Sequence, residues 1–141
     1  MNNDRLIKII EDMAEVIKNL NECKDILKSH DENKTTIFIE FGLKQIFVDF
    51  FITVESFTSM VLKELKEFKI GLDMKQSLRI LRDKDIINEE VFLFLSQARL
   101  LRNRISHRYK EPSRTELLEF IDSNIMRFND VLDLAKQFAE N

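Results

Sequence analysis

The sequence predicts an all-α fold, an up-and-down bundle of about four long helices and one short helix. Three observations lead there. Only two glycines and one proline occur in 141 residues, so turns are scarce and a hairpin-rich sheet is disfavoured. Apolar residues recur at steps of three and four over long windows, the period of a helix with a buried face. The polar breaks between those windows are short, which makes successive helices antiparallel neighbours.

The first helix is expected from about Asp4 to Lys28, with Leu6, Ile9, Ile10, Met13, Ile17, Leu20 and Leu27 near one face. "SHDENKTT" (Ser29 to Thr36) is polar and rich in turn formers, so it reads as a loop. The second helix is expected from about Thr36 to Phe68. Its main stripe is Ile39, Leu43, Ile46, Phe50, Val54, Phe57 and Val61, and Phe38, Phe41, Phe47, Phe51 and Ile52 widen it. A helix apolar on more than one side is central in a bundle or part of an interface. "TTIFIEF" also has strand propensity, but no matching turn and strand lie nearby.

Gly71 marks a break. Asp73 and Gln76 have the spacing of a capping box, in which each side chain satisfies an unpaired amide at a helix start. A short helix then runs to about Arg82. Asn88 suits the cap of a fourth helix, Glu89 to about Arg108. "KEPSRTE" interrupts it, and Ser113 with Glu116 repeats the capping spacing. One last helix is expected beyond, lined by Leu117, Leu118, Ile121, Ile125, Phe128, Leu132 and Ala135. No long linker divides residues 1–141, so the expectation is a single domain.

Composition narrows the function. Net charge is −3 at pH 7, which disfavours a nucleic-acid binder relying on a broad basic surface but leaves room for a small basic site. Cys23 is the only cysteine, so an internal disulfide or a cysteine metal cluster is excluded, and a reducing cytoplasm is expected. The most apolar run, "IFVDFFITV", is too short to span a bilayer and holds Asp49. No convincing metal constellation or cofactor motif is present.

The chemistry concentrates in "LRNRISHRY", Leu101 to Tyr109, with three arginines, one of two histidines and the only tyrosine. Arginine offers a planar fork of donors to phosphate oxygens. Histidine moves protons near neutral pH, and asparagine can orient either group. RNA whose own 2′-hydroxyl is the nucleophile needs no more than these. Taking the helix to continue to Arg108, Asn103 and His107 share a face, whereas Arg102 and His107 differ in direction by about 140°. Two copies of the helix across a dimer axis would surround one cleft with two arginines and two histidines. The plainer reading is a solvated helix end whose positive charges meet the helix dipole. Arg99, Arg104 and Arg108 fit that reading or a phosphate-contact surface. Asp49 and Glu55, which interrupt the second helix, are candidate partners for Arg99 or Arg102. His30 reads as an ordinary surface residue.

"RNRISH" (Arg102 to His107) resembles the Arg-polar-x3-His motif of the HEPN superfamily, and with Tyr109 it resembles the HepT-like toxin branch of HepT/MNT toxin–antitoxin pairs. The helix order is similar over most of the chain. The resemblance implies an all-α bundle that dimerises with its motifs facing each other, and a metal-independent endoribonuclease. Arg102 would bind the phosphate, His107 would act as general acid or base, and Asn103 would support both. It also implies an antitoxin partner of the minimal nucleotidyltransferase (MNT) type that silences the toxin by transferring AMP to Tyr109. The chain departs from many relatives after the tyrosine, where "KEPSRTE" stands in place of an Ile-Asp pair. Two other classes stay open at this point. One is a non-catalytic module that binds a nucleotide or a nucleotidyltransferase, and the other is a structural adaptor.

Overall fold

The computed structural model describes residues 1–107 and 110–140, and among them the chain forms six helices and no strand. Helix α1 spans Asn3–Ser29 and α2 spans Lys34–Glu64. The two are antiparallel, because the loop between them is short and the Met1 ammonium lies 2.9 Å from Glu64 at the far end of α2. Leu6, Ile9, Met13, Ile17, Leu20 and Leu27 are all buried, so the α1 stripe read from the sequence is its core face.

The strand-prone "TTIFIEF" lies inside α2. Local capping favours the helix there: the Asn33 side chain accepts from the Thr36 amide at 3.0 Å, and Thr36 Oγ1 accepts from the Asn33 amide at 2.7 Å. Phe47, Phe50, Phe51, Val54 and Phe57 are buried, which makes α2 the central helix over that length. Phe38, Phe41 and Ile52 face outward, at 69%, 56% and 48% exposure. The broad apolar surface of α2 is therefore part core and part exposed face.

Helix α2 ends at Glu64, short of the expected Phe68. Lys66 adopts the left-handed conformation at φ 60°. The Lys66 and Glu67 amides then donate to the Lys63 and Leu62 carbonyls at 3.1 and 2.8 Å, which closes the last turn. Helix α3, Met74–Asp83, starts on the expected Asp73–Gln76 box and ends in the same way, with Asp85 at φ 57°. Helix α4, Glu89–Ser106, is capped by Asn88, whose side chain accepts from the Val91 amide at 2.8 Å.

The expected single last helix is two. Helix α5 spans Arg114–Ser123 and α6 spans Ile125–Glu140. Asn124 Nδ2 donates to the Phe120 carbonyl at 2.8 Å, occupying the acceptor that a continuous helix would offer to a backbone amide. The count of helices rises from five to six for this reason.

The core is continuous through all six helices. Its centre is a set of phenylalanine rings from α2, α4, α5 and α6. Phe50 and Phe128 have centroids 4.7 Å apart, Phe94 and Phe128 4.9 Å, and Phe94 and Phe120 5.7 Å. Phe94 thus anchors α4 from below, with truncation of such a ring expected to cost about 3–5 kcal/mol. Among the described residues no helix is long and apolar enough to cross a membrane.

Candidate functional site

Helix α4 stops at Ser106, so His107 is its C-cap residue and not part of the helix. Its backbone is extended, φ −113° and ψ 100°. Ser106 Oγ donates back to the Arg102 carbonyl at 3.3 Å within the last turn. This corrects the sequence expectation that α4 runs to Arg108. The helical offset of Arg102 from His107 does not apply, because the backbone at His107 is no longer helical. Arg108 and Tyr109 lie outside the described residues.

Arg102 leaves the half-buried side of α4 toward α2. Its Nη2 stands 3.5 Å from Glu55 Oε1, and its guanidinium carbon lies 5.9 Å from the centre of the Phe51 ring. Glu55 is thus the carboxylate partner that the sequence offered for Arg102. Asp49 accepts instead from Gln45 Nε2 at 2.9 Å. The Arg102–Glu55 contact is an ion pair without full hydrogen bonding, since Arg102 Nε and Glu55 Oε1 are both buried and lack a hydrogen-bond partner in the protein. Half-exposed pairs of this kind contribute about 0–1 kcal/mol, so the pair orients Arg102 more than it stabilises the fold. Arginine donors removed from water and incompletely paired favour an anionic ligand.

Arg99, one turn earlier on the same face, also has a buried Nε without a hydrogen-bond partner in the protein. Asn103 is half-buried beside Arg102. Arg104 behaves differently. Its Nη1 and Nη2 grip both oxygens of Glu116, the second at 2.9 Å, and its Nε donates to the Lys110 carbonyl at 3.0 Å. Those hydrogen bonds from Arg104 hold the Glu116 carboxyl below the ordinary carboxylate value. His107 is exposed; its amide donates to the Arg104 carbonyl at 3.2 Å, and its carbonyl accepts from the Lys110 amide at 2.8 Å.

The other histidine belongs elsewhere: His30 Nδ1 donates to the Ile26 carbonyl at 2.9 Å and closes the end of α1. Sequence reasoning missed Glu116 as the partner of Arg104, and Phe51 beneath Arg102. It also missed a buried charge cluster behind the segment that follows the motif. There Lys44 is 8% exposed and lies 3.6 Å from Glu40 and 3.8 Å from Glu111, while Arg114 Nε donates to Glu40 at 2.8 Å. Only the proximity of "KEPSR" to the motif could have suggested it. Among the described residues, no group of three or more His, Cys, Asp or Glu is placed to hold a metal ion.

A helical bundle therefore presents an incompletely paired arginine and an exposed histidine at the end of its fourth helix, five residues apart. The family model for ribonuclease HepT-like proteins matches residues 6–135, from the first buried leucine of α1 to the last buried alanine of α6. The chain belongs to the HepT-like ribonuclease family. No curated protein and no solved structure matches it at a significant level. The match reaches into every helix of this HepT-like chain, including α5 and α6 on either side of the Asn124 break.

Proposed function

We propose that the protein is a metal-independent endoribonuclease toxin that acts as a homodimer. Arg102 and His107 form its reaction centre, and an MNT-type nucleotidyltransferase antitoxin silences it through Tyr109. The observation that carries this reading is Arg102 held against Glu55 and Phe51 with its Nε unpaired, ahead of an exposed His107 at the helix cap.

The reaction is a transesterification within RNA. His107 removes the proton of the 2′-hydroxyl, and the 2′-oxygen attacks the adjacent phosphorus. The bond from phosphorus to the 5′-oxygen breaks, and that oxygen takes a proton from an acid. The products are a 2′,3′-cyclic phosphate and a 5′-hydroxyl. Arg102 pairs with the non-bridging oxygens, where charge develops. Arg99 and Arg108 extend the phosphate contacts, and Asn103 supports the geometry. Base and acid are both needed, and each chain has one histidine at the motif, since His30 is held in the α1 cap. A two-fold dimer supplies the pair. Leu93 and Leu100, one heptad apart on the outward side of α4 and 50% and 55% exposed, support a second copy against this helix.

Silencing follows from the same chemistry. The Tyr109 phenol attacks the α-phosphorus of ATP on the transferase, pyrophosphate leaves, and the phenolic proton passes to solvent. The adduct puts a phosphodiester charge and a nucleotide beside the arginines, where RNA must bind. The test is cleavage of RNA by the purified protein in chelator, with the ends of the products identified. Wild type should yield cyclic phosphate ends, and His107→Ala should cleave about 10²–10⁴-fold more slowly. Full cleavage by His107→Ala sinks the assignment; binding of nucleotide or transferase without any cleavage favours a non-catalytic module.

A further inference from the structure

Arg104 sits inside the motif and, by residue type, is a candidate phosphate ligand. Its geometry is that of a brace. Three hydrogen bonds link Arg104, His107 and Lys110: the His107 amide to the Arg104 carbonyl at 3.2 Å, the Lys110 amide to the His107 carbonyl at 2.8 Å, and Arg104 Nε to the Lys110 carbonyl at 3.0 Å. The rest of the guanidinium fork is taken by both oxygens of Glu116 in the first turn of α5. A planar five-donor group can hold a carbonyl and a carboxylate together, and an ammonium cannot hold them in this geometry.

The next residue is tied down from the other side. Glu111 pairs with the buried Lys44 of α2 at 3.8 Å, Lys44 pairs with Glu40, and Glu40 accepts from Arg114 at the start of α5. A charge as buried as Lys44 is costly unless partnered, and one of its two partners, Glu111, lies in this segment. An exposed ion pair such as Arg104–Glu116 adds little to global stability. Its effect is local: it fixes where the backbone of residue 107 sits relative to α4.

We infer that Arg104 is a positioning residue for His107, acting through the Lys110 carbonyl and Glu116, and does not contact RNA phosphate. The inference rests on the reading of His107 as the proton-transfer group. Arg104→Lys keeps the charge and removes the fork. Expected are a Lys110 amide that exchanges about tenfold faster, a shifted or broadened His107 imidazole signal by NMR, and a kcat lowered about tenfold with KM within about twofold. A phosphate ligand would instead raise KM, leaving kcat and the Lys110 amide unchanged; that result overturns the inference. Should Arg104→Lys fail to fold, Glu116→Gln opens the same fork from the other side, with the same signs expected. Full cleavage by His107→Ala defeats the functional reading alone. The Lys110 exchange and His107 signal then decide the positioning role without reference to activity, and unchanged values overturn it.

Discussion

Arg102 on α4 and Glu55 on α2 meet at 3.5 Å without completing a hydrogen bond, and each has a buried polar atom that lacks a hydrogen-bond partner in the protein. Such a pair holds the guanidinium in place while leaving part of its donor capacity for a ligand. Glu55 also competes electrostatically with that ligand. Glu55→Gln keeps the shape and an acceptor oxygen but removes the charge. KM for RNA should fall about two- to tenfold with kcat within about twofold, as expected when only uniform binding changes. Steady-state cleavage kinetics at fixed salt measure it, and an unchanged or raised KM contradicts the role given to Glu55.

The proposed dimeric reaction, with base and acid from two motif histidines, makes a prediction about mixtures. Wild type mixed with His107→Ala and allowed to exchange subunits forms hybrids that lack either the base or the acid. Activity should fall roughly as the square of the wild-type fraction. A linear fall would mean that each chain works alone. His107→Ala by itself should lose about 10²–10⁴-fold in kcat, the usual range for a general acid or base.

Helix α5 is held at both ends by exposed carboxylates. Glu116 accepts from Arg104, and Asp122 accepts from Lys28 at 2.7 Å, with Lys24 3.7 Å away. Hydrogen bonds from Arg104 and Lys28 hold the two carboxyls below their ordinary values of 4.5 and 3.8. The folded state therefore releases these protons more readily than the unfolded state. Their contribution is complete above the ordinary values and is lost as pH falls through the lowered native ones. Amide protection factors in α5, corrected for intrinsic exchange, should drop between about pH 5 and pH 2 relative to the middle of α2. Equal protection in both helices across that range would argue against it.

Lys66 ends α2 at a positive φ of 60° with a side chain that disfavours that conformation. Its amide is used in the terminal turn, and glycine can donate the same bond without the steric cost. Lys66→Gly should raise stability by about 0.5–1 kcal/mol in denaturant unfolding, with the slope unchanged. A loss of stability would show that the Lys66 side chain matters more than its backbone.

The helix starts were the most legible boundaries. Asn88, Asp73 and Ser113 all cap where the sequence placed them, because capping depends on residues three apart. The ends were harder. Lys66 and Asp85 take left-handed conformations that neither residue type announces, and Asn124 breaks a helix through one side-chain bond to Phe120. Within the site, Arg102 and Glu55 were both visible as charged residues in apolar helices, whereas the Arg104–Glu116 fork was not. Twelve residues and an intervening turn separate them, and ion pairing across a turn has no fixed spacing.

By itself the sequence determined the all-α class, the core faces of the long helices, and a motif whose residue types suit phosphate binding and proton transfer. Those properties are written in periodicity and residue chemistry, which need no partner. The tertiary structure decided where the motif residues sit and what they pair with. It ended α4 at Ser106, set Arg102 against α2, and turned Arg104 toward Glu116. These outcomes depend on which charges different helices bring within a few ångströms, and packing fixes that, not local sequence.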